Sequence, residues 1–201
     1  MDFDQSSCNF RIIHVNIRGV NANKSNLEHY LEEHNLPEIV TINEAMLRGD
    51  KTIKIKGYYC AARREPVGMS GKHGSMILVK ETIQDVVELD FLLTQFQDEV
   101  IGIEIKGTGS QPGLNIVTYY NPPGNRVNPG IFCRSLYNNS NGTIFTGDLN
   151  CKHLAWGSSH TDPLGDHLSD TLNDQNWIIL NDGAKTRIDP KSGKEEVLDL
   201  M

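Results

Sequence analysis

"IFTGDLNCKHLAWGS", residues 144–158, decides how this chain is read. A β-branched and aromatic run ends in Gly147, Asp148, Leu149 and Asn150, and a His and a Trp follow within six residues. The run is a strand by its composition and its glycine boundary. A strand suited to burial therefore delivers a carboxylate and a carboxamide, two residues apart, to its own exit. Strand exits can hold side chains rigidly while leaving them open to a ligand, so several such exits on one edge would make a site.

Further strand signals lie on both sides of this one. FRIIHVNI (10–17), EIVTINE (38–44), KGYYCAAR (56–63), SMILVK (75–80), EVIGIEIK (99–106), LNIVTYY (114–120), GTIFTG (142–147) and WIILND (177–182) are short, β-rich and bounded by Gly, Pro, Asn or Lys. Helical spacing marks SNLEHYLEEHN (25–35), with Ser25 as its expected N-cap, and DHLSDTLNDQN (166–176), with Leu168 and Leu172 four apart. A β-α-β opening followed by hairpin-like strands predicts an α/β sandwich, sheets face to face and helices outside. At 201 residues, without a repeat, linker or low-complexity tract, the chain is expected to form one domain over 1–201.

Composition narrows the function classes. No segment approaches 18 unbroken apolar residues, and MDFDQSSCNF has neither a basic nor an apolar leader region, so neither a membrane span nor secretion is expected. Cys8, Cys60, Cys133 and Cys151 are spread without a CxxC pair, which argues against a zinc ribbon or a disulfide framework and for a reduced, intracellular setting. Cys151 is expected to pack as a small hydrophobe. The net charge of −7 disfavours a phosphate-rich partner on average, but it is unevenly spread. Residues 1–80 hold 11 Lys+Arg against 9 Asp+Glu, and residues 81–201 hold 8 against 17. Arg48, Lys51, Lys54, Lys56, Arg63, Arg64 and Lys72 could present a basic face or simply a solvated one.

Four strands end in a polar residue of the kind that meets metal or phosphate: Asn16, Glu44, Tyr120, and Asp148 with Asn150. HVNIRG, TINE, VTYYNPP, GDLN and HLAWGS, in this order, resemble the endonuclease/exonuclease/phosphatase superfamily. The likeness is strongest to the apurinic-like endonuclease domain of non-LTR retrotransposons (jockey/LINE-like), and it covers residues from about 10 to 200. It implies a DNase I-like, four-layer α/β sandwich of two packed mixed β-sheets flanked by helices. It also implies a Mg²⁺-dependent DNA endonuclease, with Mn²⁺ as a substitute, that leaves a 3′-hydroxyl on double-stranded DNA. That end would prime a reverse transcriptase domain of the same element, in the nucleus when chromosomal DNA is the target.

Residue by residue, the resemblance gives Glu44 and Asn16 to the metal and Tyr120 to the scissile phosphate. Asp148 would orient or deprotonate the attacking water, Asn150 would hold a phosphate oxygen, and Asp199, in VLDL, would support a catalytic histidine. Arg18 is expected at the substrate; it stands where repair-type relatives carry an acidic residue, which leaves Glu44 the heavier share of metal binding. The chemistry suits these residue types, because phosphodiester hydrolysis needs cationic charge on the phosphate and a base for water. Mg²⁺ takes hard oxygen ligands and keeps several waters. As a base, Asp148 must be desolvated or aimed at acidified water, since its reference pKa is about 3.9. Bland readings stand beside these: Glu44 as a turn cap, Asn150 as an Asx-turn residue, and Trp156 as core rather than a base-stacking platform. Tyr119 and Tyr120 alternate across the sheet, so one of them faces the site, and the resemblance selects Tyr120.

The resemblance also implies a terminal Ser-Asp-His triplet. None follows Asp199, so the domain is expected to lack its last strand or strands. The GDHLSD segment, with Asp166, His167 and Asp170, falls in the second helical stretch and is not a substitute; His153 and His160 fit loop positions. Two alternatives to the active endonuclease stay open: an impaired remnant that binds DNA or metal weakly, and a phosphoesterase of the same fold acting elsewhere. Target preference would lie in loops such as 107–113 and 121–130.

Overall fold

The computed structural model describes residues 10–65, 73–91, 99–124, 127–136, 141–188, 193 and 195–201. Lys72 and Cys8 lie outside these, as do residues 125–126 of the 121–130 loop. A four-stranded sheet has the order β1 (Ile12–Asn16), β2 (Ile39–Asn43), β4 (Ser75–Lys80), β3 (Tyr58–Arg64). A five-stranded sheet has the order β11 (Asp199–Leu200), β8 (Gly142–Asp148), β7 (Leu114–Tyr120), β6 (Glu99–Ile105), β5 (Val86–Glu88). β9 (Arg187–Ile188) and β10 (Glu195–Glu196) form a separate ribbon. Each sheet contains one parallel pair joined through a helix. α1 (Lys24–Glu33) connects β1 to β2, and α2 (Pro129–Leu136) connects β7 to β8. α3 (Pro163–Asp174) follows β8 after a 3₁₀ turn at Leu154–Trp156.

Three apolar layers glue four structural ones together. Leu27 and Leu31 of α1 pack on Val40, Ile42, Met76 and Leu78 of the first sheet. Ile39, Ile77 and Val79 meet Ile101, Ile103 and Ile116 between the sheets. Val117, Tyr119 and Phe145 of the second sheet pack on Phe132 of α2, Leu168 and Leu172 of α3, and Trp156. This is the helix–sheet–sheet–helix sandwich, with period-2 alternation sorting each strand between an outer and an inner layer.

The inner face explains why a buried strand ends in a carboxylate. In β1 and β2 the register pairs Ile12 with Ile39, His14 with Thr41 and Asn16 with Asn43. In β7 and β8 it pairs Ile116 with Ile144, Thr118 with Thr146 and Tyr120 with Asp148. The seam between the sheets thus runs through three rows: isoleucines, then hydroxyls and an imidazole, then amides, a phenol and a carboxylate. Buried polar groups persist only when hydrogen-bonded. The hydroxyls of the middle row meet that condition: Thr41 Oγ1 lies 2.9 Å from Thr146 Oγ1 across the sheets, and Thr118 Oγ1 accepts at 3.3 Å across the sheets from Asn43 Nδ2, which also donates to Ser75 Oγ of its own sheet at 3.0 Å.

Several sequence expectations need correction. WIILND is not a strand. Trp177 and Ile179 pack against the outer core, while the chain reaches β11 mainly through a side chain: Asn181 Nδ2 donates to the Asp199 carbonyl and Asn181 Oδ1 accepts from Met201 N. Ser25 lies inside α1, whose N-cap position is Asn23; the Asn23 amide instead donates to the Ile17 and Gly19 carbonyls. The second helix starts at Pro163 rather than 166, because Asp162 caps it by accepting from Gly165 N. The same Asp162 accepts from Lys152 N, and Gly165 stands so close to the Lys152 carbonyl that any Cβ would collide with it. α3 is thereby fastened to the loop that follows GDLN. Among the described residues, no helix is long and apolar enough to cross a membrane. Lys24 and Lys56 are paired with Glu28 and Glu32, so part of the N-terminal positive charge is locally neutralised.

Candidate active site

The ends of β1, β2, β7 and β8 meet at one rim and line an open cleft of about 570 Å³, whose walls include His14, Asn16, Arg18, Glu44, Asp148, Asn150, Arg187 and Asp199. Asn16 is its hub. Its Nδ2 donates to Glu44 Oε1 at 3.0 Å and to Asp148 Oδ2 at 2.9 Å, joining groups that stand 104 positions apart in sequence. Tyr120 Oη donates to the same Glu44 oxygen at 2.9 Å. Tyr119, one residue earlier, is fully buried on the opposite face against Phe132 and Phe145.

Asparagines hold the GDLN turn in shape, two of them, Asn43 and Asn121, outside the sequence-selected set. Asn43 Oδ1 accepts from Asp148 N, Asn121 Nδ2 donates to the Leu149 carbonyl, and Asn150 Nδ2 donates to the Asn121 carbonyl. The Asx turn belongs to Asp148, whose Oδ1 accepts from Asn150 N at 3.2 Å. Gly147 is required by β7: a Cβ there would run into the Tyr119 carbonyl. The turns leaving the strands are strained, for Arg18, Glu44 and Asn150 all take left-handed φ near +50°. Such conformations cost about 1 kcal/mol or more each, and they persist where surrounding structure over-determines them.

Asp148 is 5% exposed, and its carboxyl is pushed up to about 6, first by burial and then by the charge of Asp199. Hydrogen bonds from Asn16 and the Asn150 amide pull it down. Asp199 sits directly opposite Asp148 in the antiparallel β11–β8 register. Its Oδ1 lies 3.5 Å from Nε2 of His14, whose side chain is 5% exposed and which the sequence reading passed over. The alternation that selected Asn16 puts His14 on the same face two residues earlier, so the signal was present. His73 was missed as well; its ring lies 5.4 Å from that of Tyr120.

The residues set aside in sequence remain outside the cleft. Asp166, His167 and Asp170 ride on α3, and His160 is bonded to Ser159. His153 caps the 3₁₀ turn by accepting from Ala155 N and leans on Trp156. Trp156, 1% exposed, is core. Cys133 and Cys151 are buried free thiols; burial pushes Cys133 up to about 12 and raises Cys151 further, which keeps both unreactive. Among the described residues, no group of three or more His, Cys, Asp or Glu side chains is arranged to hold a metal. The donor set is instead the mixed carboxylate–amide kind, and Asn16 Oδ1 is buried with no hydrogen-bond partner. A lone amide oxygen beside Glu44 suits a hard cation that keeps most of its own waters.

Comparison with known proteins agrees with this fold. Residues 114–201 match the family model described as endonuclease-reverse transcriptase. The chain is 24% identical over 177 residues to the probable RNA-directed DNA polymerase from transposon X-element of Drosophila melanogaster, covering 88% of this chain. Both likenesses are to retrotransposon-type endonuclease and polymerase proteins. The chain spans only 19% of the length of the Drosophila relative. Among solved structures, the same fold is found in the endonuclease domain of TRAS1, a telomere-specific non-LTR retrotransposon, with a TM-score of 0.67 and 19% identity over 95% of this chain and 83% of that one. It recurs in a 3′-5′ exonuclease of Neisseria meningitidis, with a TM-score of 0.68 and 17% identity over 94% and 84% of the two chains. An AP endonuclease from Archaeoglobus fulgidus gives 0.66 and 16% over 94% and 84%.

Proposed function

We propose that this chain is the DNA endonuclease domain of a non-LTR retrotransposon. In this reading it hydrolyses one strand of double-stranded DNA with a divalent cation, Mg²⁺ or Mn²⁺ in its place, and leaves a 3′-hydroxyl. The observation that carries the reading is the Asn16 carboxamide, which ties Glu44 to Asp148 at the rim of the seam with the Tyr120 hydroxyl on the same glutamate.

Glu44 and Asn16 Oδ1 would hold the cation, which when bound supplies positive charge to the phosphate and the departing oxygen. Asp148, with a carboxyl near pKa 6, is mostly ionised at neutral pH yet basic enough to take a proton from the attacking water. Its syn-facing oxygens are fixed by Asn16 and the Asn150 amide, so the base is oriented before substrate arrives. Asn150 Oδ1 is directed by the bond from its own Nδ2 to Asn121, and Tyr120 Oη is within the same cluster; both are assigned to phosphate oxygens. Arg18, on the cleft wall, supplies a cation for the backbone. Asp199 is assigned a supporting role toward an imidazole. Activity on chromosomal DNA would place the protein in the nucleus, and a reverse transcriptase of the same element would extend the new end.

Nicking of supercoiled plasmid tests the assignment. Relaxed circles should form with Mg²⁺, disappear with a chelator, and disappear in Asp148→Ala; a polymerase should extend the nick without end repair. Hydrolysis of a lipid or nucleotide phosphate with no action on DNA would transfer the site to another phosphoester. A well-folded chain inactive on all of them would make it a remnant.

A further inference from the structure

One step behind the site, the middle row of the seam contains an imidazole among hydroxyls, and the proposed nuclease chemistry has not used it. His14 lines the cleft with little of its side chain showing: that side chain is 5% exposed, and its Nε2 is buried with no hydrogen-bond partner within ordinary range. With Nε2 buried, the imidazole acts through a neighbour. That neighbour is Asp199, whose Oδ1 is likewise buried without a hydrogen-bond partner and faces Nε2 across 3.5 Å, from the opposite sheet.

Which His14 nitrogen bears the proton decides whether this facing is attractive. Nε2 without a proton would set a lone pair against a carboxylate, whereas Nε2–H points a donor at it. The other nitrogen bears on the choice. Nδ1 lies 3.0 Å from Thr41 Oγ1, and the alternative acceptor for the Thr41 proton, the Ile13 carbonyl, is 3.4 Å away. Thr41 Oγ1 in turn lies 2.9 Å from Thr146 Oγ1, whose own alternative, the Val117 carbonyl, is also at 3.4 Å. The two short contacts can run in either direction, and the one that leaves Nε2–H for Asp199 is that in which Thr146 donates to Thr41 and Thr41 donates to Nδ1.

We propose that Thr146, Thr41 and His14 form an inter-sheet hydrogen-bond relay that fixes the His14 tautomer and thereby aims the Asp199 carboxylate at the site. His14 is then a positioning residue. Outer partners of this type commonly change activity by about 10- to 100-fold when removed, because they orient a group that does meet the reaction. The catalytic consequence rests on the nuclease reading; the relay itself does not.

The test has two independent arms on the 201-residue chain. Imidazole ¹⁵N spectra should show His14 as the Nε2–H tautomer, and Thr41→Val, which keeps the side-chain shape but removes the donor to Nδ1, should move the Nδ1 resonance downfield as that nitrogen loses its hydrogen bond. An Nδ1–H tautomer in the wild type, or an unchanged spectrum in Thr41→Val, overturns the relay. In plasmid nicking, Thr41→Val and His14→Leu should lose about 10- to 100-fold in kcat with KM within about twofold. His14→Gln, whose amide can still donate toward Asp199, should recover most of that loss; a His14→Gln variant as slow as His14→Leu, both folded by circular dichroism, also overturns it. A wild-type chain that nicks no DNA would defeat the functional reading while the spectra still decide the relay.

Discussion

Replacing Asp148 with asparagine should make the protein more stable at neutral pH while abolishing its activity. Burial and the neighbouring Asp199 hold the Asp148 carboxyl at about 6, against an ordinary 3.8. That gap corresponds to about 3 kcal/mol at about 1.4 kcal/mol per pH unit. The folded protein binds this proton more tightly than the unfolded chain. The stability it contributes is therefore fully present below about pH 3.8 and is lost as pH rises through about 6. Asparagine carries no charge and escapes that loss. Against it, the new amide would set a donor against Asn16 Nδ2, which now donates to Asp148 Oδ2, at a cost of about 1 kcal/mol. The balance favours Asp148→Asn by about 1–2 kcal/mol at pH 7.5 and disfavours it by about 1 kcal/mol near pH 4, so the two stability curves cross between. Urea unfolding with chelator present, followed by the fluorescence of Trp156 and Trp177, measures this directly. An Asp148→Asn protein that is less stable than wild type by the same amount at both pH values would show that Asp148 is not held ionised against its surroundings. The picture of a desolvated base would then fail.

Three further substitutions separate the roles around the hub. Tyr120→Phe removes a hydroxyl that donates to Glu44 at 2.9 Å. If that hydroxyl serves the phosphate, kcat should fall by about 100-fold with the Mg²⁺ requirement unchanged; a rise in the Mg²⁺ needed for half-maximal nicking, with kcat intact, would assign Tyr120 to Glu44 instead. Asn16→Ala cuts both carboxylates loose and removes the free amide oxygen, so the half-maximal Mg²⁺ concentration should rise by about 10-fold or more in a metal titration of nicking. Gly147→Ala drives a methyl into the Tyr119 carbonyl and should cost about 1–3 kcal/mol in a thermal melt together with most of the activity.

Much of the site could be read from the sequence because alternation and strand exits are local properties. Asn16, Glu44, Tyr120 and Asp148 each end a β-rich run, and the structure brings all four to one rim. His14 escaped notice although it shares a face with Asn16, because what gives it meaning is Asp199, 185 positions later and in the other sheet. Asn43 and Asn121 were passed over for the same reason: their worth lies in bonds to the GDLN backbone that only tertiary pairing creates. WIILND misled for the opposite reason. Its β-branched run satisfies the local rule, but the Asn181 side chain takes the place of a backbone ladder along β11. Short β5, β9, β10 and β11, of two or three residues, carry too little pattern to be seen in a linear scan.

The three registered rows of the inter-sheet seam also bear on how such a protein can change in length. One residue inserted into β8 between Ile144 and Asp148 would rotate every later side chain by half a pleat, turning the carboxylate into the aromatic layer beside Phe132 and offering leucine to the cleft. The same holds for the stretches from Ile12 to Asn16, Ile39 to Asn43 and Ile116 to Tyr120. Those four segments are metrically frozen. Growth and shrinkage are confined to connections that do not feed the seam, such as the one from α1 to β2, so that a lineage of these domains can remodel its outer loops freely while the spacing from its dry end to its wet end stays constant.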